Sequence, residues 1–334
     1  MNKPSLLVLD DREGLVARSP GLERMRAMAD VRVLEGSLDE LSAEELAKVN
    51  VLMAIRERTR LDASALSRFP ALELILQTGG HAYHLDADYA NAHGIPVTLG
   101  RRAYGPRAAI PEITFALAIS ALRMIPAAHQ SMVNGEWKPF MGRTLKGRTL
   151  GILGYGRHGK NVAAIAKAFG MTVLAWKRKP DSSADDEVDR VDLDELLRSS
   201  DVLSIHLKLS DESRGLLGAR ELALMRPGSI LVNTSRGAIV DEAALIEALK
   251  TGPLAAAALD VFSTEPLPAD SPLRSLPNVV LTPHIGWTVE EVLIEFADIA
   301  ASQLEAYLAG TLDRGLLLNA DVTLADGVRG GLAD

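Results

Sequence analysis

The chain has 334 residues, which is enough for two domains that each bury a core of their own. Its 36 basic and 44 acidic residues give a net charge of −8, and this balance argues against a nucleic-acid-binding surface over the whole protein. The chain contains no cysteine, so disulfides, thiolate metal sites and a cysteine nucleophile are excluded.

No apolar run of the sequence is long enough to cross a bilayer. The first residues, Met1 to Asp11, lack the basic region, the apolar stretch and the cleavage site of a secretion signal. We therefore expect a cytoplasmic protein that has neither a membrane nor a nucleic acid as its partner.

Short apolar runs alternate with polar helical stretches in the first hundred residues. Fully apolar strands that are separated by helices are typical of a parallel sheet covered on both faces. The predicted strands are Leu6 to Leu9, Val31 to Leu34, Val51 to Ile55, Leu72 to Leu76 and Ile95 to Leu99.

A helix is predicted next, over Pro111 to His129, with its proline in the first turn, where a helix tolerates one. After a connector, a second alternating series of strands begins. A last amphipathic helix is predicted over about Val289 to Leu308, and the tail from Asn319 is expected to be loose. The strands of the second series are Thr149 to Leu153, Thr172 to Trp176, Val202 to His206, Ser229 to Thr234, Leu254 to Val261 and Val279 to Leu281.

The most informative stretch has glycines at positions 154, 156 and 159, in the pattern G-x-G-x-x-G. It ends an apolar strand and opens an amphipathic helix, which is the context that a dinucleotide-binding loop needs. Gly154 permits the tight turn, Gly156 lets the backbone approach a pyrophosphate, and Gly159 allows close helix packing. The first helical turn, with Arg157 and His158, offers N–H groups to the phosphates. A glycine turn that binds nothing is the alternative.

These elements predict an α/β protein with two doubly wound parallel-sheet domains. The first is a flavodoxin-like substrate domain formed by residues 1–104 and 286–334. The second is a Rossmann dinucleotide-binding domain formed by residues 105–285.

The strand that follows the glycine loop ends in Trp176, Lys177, Arg178 and Lys179. An acid at this place would hold the ribose 2′-hydroxyl of NAD, but this chain has three cations there instead. Because a 2′-phosphate is an anion, basic groups favour NADP over NAD. A solvated basic turn is the alternative interpretation.

Three further stretches follow: Met225 to Gly237, Ala258 to Pro266 and Asn278 to Gly286. Together with the glycine loop, they resemble the D-isomer-specific 2-hydroxyacid dehydrogenase family in order and spacing. The resemblance is densest from about residue 70 to 310. It implies a hydride transfer between NAD(P)H and the α carbon of a small 2-keto or 2-hydroxy acid, such as glyoxylate or hydroxypyruvate.

The resemblance implies a catalytic trio of Arg236, Glu265 and His284. His284 would be the acid or base at the substrate oxygen, Glu265 would hold its ring, and Arg236 would bind the carboxylate and polarise the carbonyl. This suits the chemistry, because hydride addition builds negative charge on the oxygen and a histidine can supply the proton. No metal is needed. Taken singly, the three residues could also be a surface charge, a loop acid and a structural turn histidine.

Three more residues are expected at the coenzyme. Asp260 matches the family residue that contacts the nicotinamide carboxamide, and Thr234 stands two residues before the proposed arginine. His206 ends a strand near the coenzyme, where core packing is an equal alternative.

On the substrate side, Gly79, Gly80 and His81 follow a strand, and consecutive backbone N–H groups in such a turn can cradle an anion. In the family this loop holds the substrate carboxylate. Either Arg58 or its neighbour Arg56 could face a second acidic group of the substrate, or form a surface ion pair. Trp287 stands where the family commonly has a smaller residue, which suggests an apolar wall beside the substrate. His81 and His84 lack a third ligand, and we predict no metal site there.

Two other functions remain open from the sequence. The same scaffold serves formate and phosphite dehydrogenases, which favour NAD, and corepressor-like proteins that sense NAD(P)H without rapid turnover. The family usually forms homodimers through the coenzyme domain. The apolar helix from Ile113 to Ile125 could contribute to that contact or be buried within the monomer.

Overall fold

The computed structural model describes residues 3–100, 103–176 and 188–333. The chain forms two units. Unit 1 consists of Met1–Gly105 and Thr288–Asp334, and unit 2 consists of Pro106–Trp287.

Strands and helices largely alternate along the chain in both units. The strands are β1 (Ser5–Leu9), β2 (Asp30–Val33), β3 (Val51–Ala54), β4 (Leu74–Gln77), β5 (Val97–Leu99), β6 (Thr149–Leu153), β7 (Thr172–Trp176), β8 (Asp189–Val191), β9 (Val202–Ile205), β10 (Ser229–Asn233), β11 (Leu254–Leu259) and β12 (Val279–Leu281). The helices are α1 (Pro20–Met28), α2 (Ala43–Leu46), α3 (Ala63–Leu66), α4 (Ala87–Ala92), α5 (Gly105–Arg123), α6 (Ile125–Val133), α7 (Arg157–Ala168), α8 (Leu193–Ser199), α9 (Ala219–Ala223), α10 (Glu242–Lys250) and α11 (Glu290–Leu308).

Unit 1 contains a five-stranded sheet in the order β2-β1-β3-β4-β5, with every pairing parallel. This is the flavodoxin-like order. All residues of the inner strands β3 and β4 and of the edge strand β5 are buried, as expected for a parallel sheet whose two faces are covered by helices. The predicted doubly wound fold is confirmed for this unit.

Unit 2 contains a seven-stranded parallel sheet in the order β12-β11-β10-β9-β6-β7-β8. The strand order reverses at β6, from which the chain first runs outward through β7 and then returns to β9 on the other side. This is the Rossmann arrangement, which places a dinucleotide beyond the carboxyl ends of the strands at that reversal. The Rossmann prediction is confirmed.

The predicted start of the long central helix at Pro111 is wrong, because α5 begins at Gly105 and the proline lies inside it. A proline within a helix leaves the carbonyl four residues earlier without its N–H partner. Here that carbonyl belongs to Arg107, and the side chain of Asn161 donates to it over 2.9 Å. A hydrogen bond from α7 therefore satisfies the acceptor that the proline abandons.

The same helix also ends earlier than predicted. Met124 has φ 53°, which separates α5 from α6, and the two helices are bent by 64°. Pro126 explains the break, since it cannot donate to the carbonyl of Leu122. That carbonyl accepts instead from the backbone N–H of Arg143 over 3.1 Å. The two prolines therefore have opposite consequences, although each abandoned carbonyl has a distant donor.

Two further expectations need correction. The tail is anchored rather than loose, because Arg329 forms an ion pair with Glu73 and Leu332 forms a β-bridge with Leu312. Strand β8 was not predicted at all, because it is short, polar and at the edge of its sheet. Several predicted strands, such as Val202 to His206, are also longer than the observed ones.

In the described part of the chain, no single helix has both the length and the hydropathy needed to cross a bilayer. Only α5 and α6 taken together, despite the bend between them, pass that test.

Candidate active site

Arg236, Glu265 and His284 lie in the loops that follow β10, β11 and β12, respectively. These three strands are neighbours in the sheet of unit 2 and run parallel, so their carboxyl ends meet at one edge. Residues that are far apart in the sequence are thereby brought to the edge at which open α/β sheets bind their ligands.

The carboxylate of Glu265 contacts the imidazole of His284. The distance from Nδ1 of His284 to Oε2 of Glu265 is 2.7 Å, and Oε1 accepts the backbone N–H of Phe262 over 2.9 Å. Burial alone would raise the pKa of Glu265, but these two hydrogen bonds and the positive charges of His284 and Arg236 lower it below the ordinary value. The carboxylate is thus kept ionised beside the ring.

A glycine allows the loops carrying Arg236 and Glu265 to pack against each other. A Cβ added to Gly237 would lie 1.9 Å from the carbonyl carbon of Phe262, so no side chain fits between the two backbones. Asn233 fixes the loop from the other side. Its amide donates to the carbonyl of Arg236 over 3.0 Å, and its oxygen accepts the N–H of Ser235 over 3.0 Å. The arginine therefore projects from a turn that is held at both ends.

Asp260 holds the turn that presents His284. The histidine has φ 54°, a left-handed conformation that is uncommon for a residue with a side chain. The buried carboxylate of Asp260 accepts the N–H of Ile285 over 2.9 Å, the N–H of Gly286 over 2.8 Å and the hydroxyl of Thr282 over 2.5 Å. Burial raises the pKa of Asp260, and these hydrogen bonds partly oppose that effect. The carboxylate expected to contact nicotinamide is thus engaged in shaping the loop.

The glycine loop has the geometry that its sequence predicts. Gly154 has φ 110° and lies against the backbone of His206, while a Cβ on Gly159 would lie 2.3 Å from the carbonyl oxygen of Gly154. At Gly156, by contrast, an added Cβ would meet nothing within 4 Å, and no side chain caps the start of α7. A closely packed turn with an open surface at its middle glycine and a helix N-terminus beside it suits a pyrophosphate.

Two histidines lie near this loop, and both are kept neutral. Burial lowers the pKa of His206 to about 3, and protonation of the nearby His158 would lower it further. The hydroxyl oxygen of Ser204 lies 2.8 Å from Nε2 of His206. Burial, followed by the charges of Arg157 and Arg107, lowers the pKa of His158. Neither ring therefore adds a positive charge beside the loop at neutral pH.

Of the remaining predicted coenzyme residues, the structure describes Thr234 and Trp176. The hydroxyl of Thr234 is buried and lies 3.1 Å from that of Thr114 on α5. Trp176 is the last residue of β7 and packs with its side chain half-buried. Lys177 and Arg178, the basic residues expected at the ribose, lie outside the described residues.

In unit 1, the turn after β4 brings together the glycines and Arg56. Gly79 has φ 86°, and a Cβ on it would collide with the guanidinium of Arg56. The guanidinium also lies 3.3 Å from Nε2 of His81, whose Nδ1 is 2.9 Å from a carboxylate oxygen of Glu57. Gln77, which the sequence analysis did not single out, donates to the carbonyls of Arg56, Thr78 and His81.

The structure separates the two candidate arginines of unit 1. Arg58 forms a two-pronged ion pair with Glu13, with distances of 2.7 and 2.8 Å, and donates to the carbonyl of Asp10 over 2.9 Å. Arg58 therefore forms the ion pair that the sequence analysis named as the alternative to binding the substrate. Arg56 is the arginine at the glycine turn. Trp287, the other residue predicted on the substrate side, belongs to unit 2 and is largely buried, with 9% of its surface exposed.

Within residues 3–100, 103–176 and 188–333, no group of three or more histidine or acidic side chains is arranged to hold a metal ion.

Sequence reasoning missed the residues that position the others. Asn233 stands three residues before Arg236, and the order Asn-x-Ser-Arg after a strand is a signal for an Asx turn that could have been used. Thr282 and Gln77 gave no such signal, because their roles depend on a neighbouring strand or loop.

Comparison with known proteins identifies the family to which the chain belongs. The sequence profile of the D-isomer specific 2-hydroxyacid dehydrogenase, NAD binding domain, matches residues 115–286. The glyoxylate reductase of Aeropyrum pernix is 42% identical over 269 residues, which are 77% of this chain and 80% of that protein. The chain belongs to the D-isomer-specific 2-hydroxyacid dehydrogenase family.

Two other relatives show the breadth of this dehydrogenase family. The D-3-phosphoglycerate dehydrogenase of Methanocaldococcus jannaschii is 36% identical over 295 residues, and this chain, matched over 86% of its length, spans 55% of that protein. The crystal structure of an NADPH-dependent glyoxylate/hydroxypyruvate reductase from Sinorhizobium meliloti, in complex with citrate, superposes with a TM-score of 0.77 at 28% identity, over 91% of this chain and 94% of that one.

As a 2-hydroxyacid dehydrogenase, this chain is an oxidoreductase that transfers a hydride between a nicotinamide dinucleotide, NAD or NADP, and a small hydroxy or keto acid.

Proposed function

We propose that this dehydrogenase reduces glyoxylate, hydroxypyruvate or a closely related 2-keto acid with NADPH, using Arg236, Glu265 and His284. The observation that carries the proposal is the 2.7 Å contact between Glu265 and His284, in a place where the charge of Arg236 also acts on that carboxylate. An acid–base histidine, a carboxylate that orients it and a guanidinium are the groups that reduction of a keto acid requires.

The bound coenzyme supplies or accepts the hydride. Within the chain, Glu265 accepts the Nδ1 proton of His284, which leaves Nε2 as the nitrogen that exchanges a proton with the substrate oxygen. The ionised carboxylate stabilises the imidazolium form before the proton is given up. Arg236 binds the substrate carboxylate through two parallel N–H groups and holds the carbonyl in reach of Nε2.

NADPH is proposed as the preferred coenzyme on account of the basic residues 177–179 after β7. The NADPH-dependent reductase from S. meliloti supports a coenzyme of this kind on the same fold. The open surface at Gly156 and the uncapped start of α7 fit the pyrophosphate, with Arg157 and His158 in the first helical turn.

A spectrophotometric assay at about 340 nm, the absorbance of reduced nicotinamide, with NADPH and NADH against a panel of 2-keto acids, tests the proposal. We expect turnover of glyoxylate or hydroxypyruvate with a higher kcat/KM for NADPH. Tight binding of NADPH without turnover of any 2-keto acid would overturn it in favour of a coenzyme-sensing protein. A higher kcat/KM with NADH would overturn the coenzyme preference alone.

In unit 1, we propose that the backbone of Gly79, Gly80 and His81 binds a substrate carboxylate, with Arg56 rather than Arg58 as the nearby cation. The position of the Arg56 guanidinium against Gly79 supports this choice, whereas the guanidinium of Arg58 lies at Glu13 and the carbonyl of Asp10. Trp287 is proposed as an apolar wall for the substrate side chain. Trp287→Ala should alter the ranking of keto acids with apolar tails, and an unchanged ranking would remove the idea.

We also propose that the protein is a homodimer formed through unit 2. Helix α5 is buried within its own unit through Phe115, Leu117 and Leu122. The exposed apolar surface lies just beyond it, in residues 125–141. Large apolar side chains clustered there on an otherwise exposed segment indicate a protein contact. They are Ile125, Met132, Val133, Trp137, Phe140 and Met141, of which Trp137 is 89% and Met141 91% exposed.

Sedimentation equilibrium of the wild-type chain should give twice the chain mass of 35.8 kDa. The double variant Trp137→Ser/Met141→Ser should shift the equilibrium toward the monomer, because it removes the two most exposed apolar side chains of the segment. Tyr83→Ser, which removes an exposed aromatic side chain from unit 1, is the control and should leave the dimer intact. A monomeric wild-type chain at micromolar concentration would refute the dimer.

A further inference from the structure

Strand β8 carries an arginine that the family motifs do not include. In the parallel pairing of β7 and β8, Arg190 is the partner of Ala175, one residue before the carboxyl end of β7. Ala175 and Val188 both belong to the core on the α7 side of the sheet. Because side chains alternate along a strand, Arg190 projects on that same side, whereas Asp189 and Val191 project on the other.

The guanidinium of Arg190 lies over the ring of Tyr155, with 4.4 Å between its central carbon and the ring centroid. Tyr155 is the residue between the first two glycines of the loop that follows β6. Strands β6 and β8 flank β7 and are therefore about 9.6 Å apart, at two strand spacings. The Arg190 side chain thus crosses the carboxyl end of β7 to reach the glycine loop.

The carboxyl end of β7 is where a dinucleotide-binding sheet receives the adenosine ribose. An acid there binds the 2′-hydroxyl of NAD, and an arginine nearby accommodates the 2′-phosphate of NADP. Lys160, in the first turns of α7, adds a second cation 6.0 Å from the same ring centroid. Two cationic side chains of the described residues thus lie over the ring of Tyr155 at this end of the sheet.

The contact with Tyr155 also prepares the guanidinium for an anion. The electron-rich ring attracts the cation that lies over it, and the N–H groups of a guanidinium lie in the plane of that group and point outward. A phosphate can then take two parallel N–H donors without displacing the ring. The planar group is held in one orientation beforehand, so less freedom is lost when the ligand binds.

We propose that Arg190, held on the ring of Tyr155, is a specificity-determining residue that binds the 2′-phosphate of NADP(H). The inference deepens the proposed function and rests on it, since it requires a coenzyme in the glycine loop. It assigns a contact to a strand that sequence patterns did not reveal.

Calorimetric titration of the full chain with adenosine 2′,5′-bisphosphate and with 5′-AMP tests the assignment, because the two probes differ only by the 2′-phosphate. Arg190→Gln should raise the Kd for the bisphosphate about tenfold, the effect of losing a charged hydrogen bond at an exposed position, and leave the Kd for 5′-AMP unchanged. Arg190→Lys keeps the charge but loses the planar arrangement of donors. Its Kd for the bisphosphate should therefore lie between those of the wild type and of Arg190→Gln.

Arg198→Gln is the matched control. It removes the same charge from an exposed position in the last turn of α8, in the same unit, and should change neither Kd. In steady-state kinetics, Arg190→Gln should raise the KM for NADPH and leave both kcat and the KM for NADH unchanged. Far-UV circular dichroism should show an unchanged fold, since Arg190 is exposed.

Equal weakening of both probes by Arg190→Gln, or no weakening of either, would overturn the assignment while leaving the proposed reductase intact. A wild-type chain that binds 5′-AMP as tightly as the bisphosphate would overturn the assignment together with the NADPH preference. A wild-type chain that binds neither probe nor coenzyme would overturn the proposed function itself.

Discussion

The two units each place an arginine, a glutamate and a histidine at the carboxyl ends of parallel strands, yet the two sets differ in what their histidine can do. In unit 1, Nδ1 of His81 lies 2.9 Å from Glu57, and Nε2 lies 3.3 Å from the guanidinium of Arg56. A guanidinium has only donors, so Nε2 must offer its lone pair and cannot carry the exchangeable proton.

In unit 2, Glu265 takes Nδ1 of His284, and within the described residues no hydrogen bond is made to Nε2. That nitrogen is the one proposed to exchange a proton with the substrate. The same three residue types therefore leave their histidines in different states. In unit 1 the guanidinium of Arg56 lies at Nε2 of the histidine, which is the nitrogen that we propose as the acid–base group in unit 2.

The largest expected effect comes from exchanging each histidine in turn. His284→Gln should lower kcat by about a thousandfold, because it removes the proposed proton donor. His81→Gln should lower kcat less than about tenfold and act mainly on KM, because that ring only helps to shape the turn. Steady-state kinetics with both variants decides the matter. Comparable losses of kcat would abolish the distinction between the two sets.

Exchanging the arginines for lysine should give the next largest effect. Arg236→Lys keeps the charge but loses the paired donors, and we expect kcat/KM to fall about a hundredfold. Arg56→Lys should raise the KM for the keto acid without changing kcat, since it is proposed to bind and not to act on the carbonyl. Addition of guanidine hydrochloride at millimolar concentration is a useful further measurement. It should restore activity to Arg236→Lys less well than to Arg236→Ala, in which the cavity is larger.

The hydrogen bond between Glu265 and His284 should be visible in stability. Because the pKa of Glu265 is lowered on folding, the ionised carboxylate stabilises the folded chain above its unfolded pKa, and this contribution is lost as the pH falls through the folded value. Denaturant titrations should therefore show Glu265→Gln less stable than wild type at neutral pH, with the difference closing as the pH falls below about 4.3. A difference that does not depend on pH would contradict this.

A third histidine gives the smallest effect and sharpens the contrast with the other two. Burial lowers the pKa of His206 to about 3, so below about 6.5, the ordinary value, the unfolded chain binds a proton that the folded chain does not. Stability must then decrease as the pH falls from there toward 3. His206→Gln should reduce the slope of unfolding free energy against pH by up to about 1.4 kcal/mol per pH unit in this range. Equal slopes would show that His206 does not stay neutral.

The fold was largely predictable, because parallel strands buried on both faces leave continuous apolar runs such as Leu6 to Leu9. The start of α5 was not. Its first N–H groups, at Tyr104 and Gly105, are capped by the carboxylate of Glu295, which lies about 190 residues further along the chain. A sequence window around Pro111 cannot contain that information.

The candidate site likewise contains residues that the sequence predicts and residues that it does not. Arg236, Glu265 and His284 lie in recognisable stretches, as does the glycine loop, because each follows a strand and has a local signature. Arg190 has none, because its significance comes from the register with Ala175 and the contact with Tyr155. The distinction between Arg56 and Arg58 likewise depended on Glu13, a residue of another loop.

The buried carboxylate of Asp260 also has a kinetic consequence for the backbone it holds. Amide hydrogens in an irregular loop usually exchange with solvent deuterium quickly, because nothing but water binds them. The amides of Ile285 and Gly286 instead end on the two oxygens of a side chain fixed in the sheet core. They should therefore exchange only when this part of unit 2 opens, at rates closer to those of β11 than to those of a surface turn.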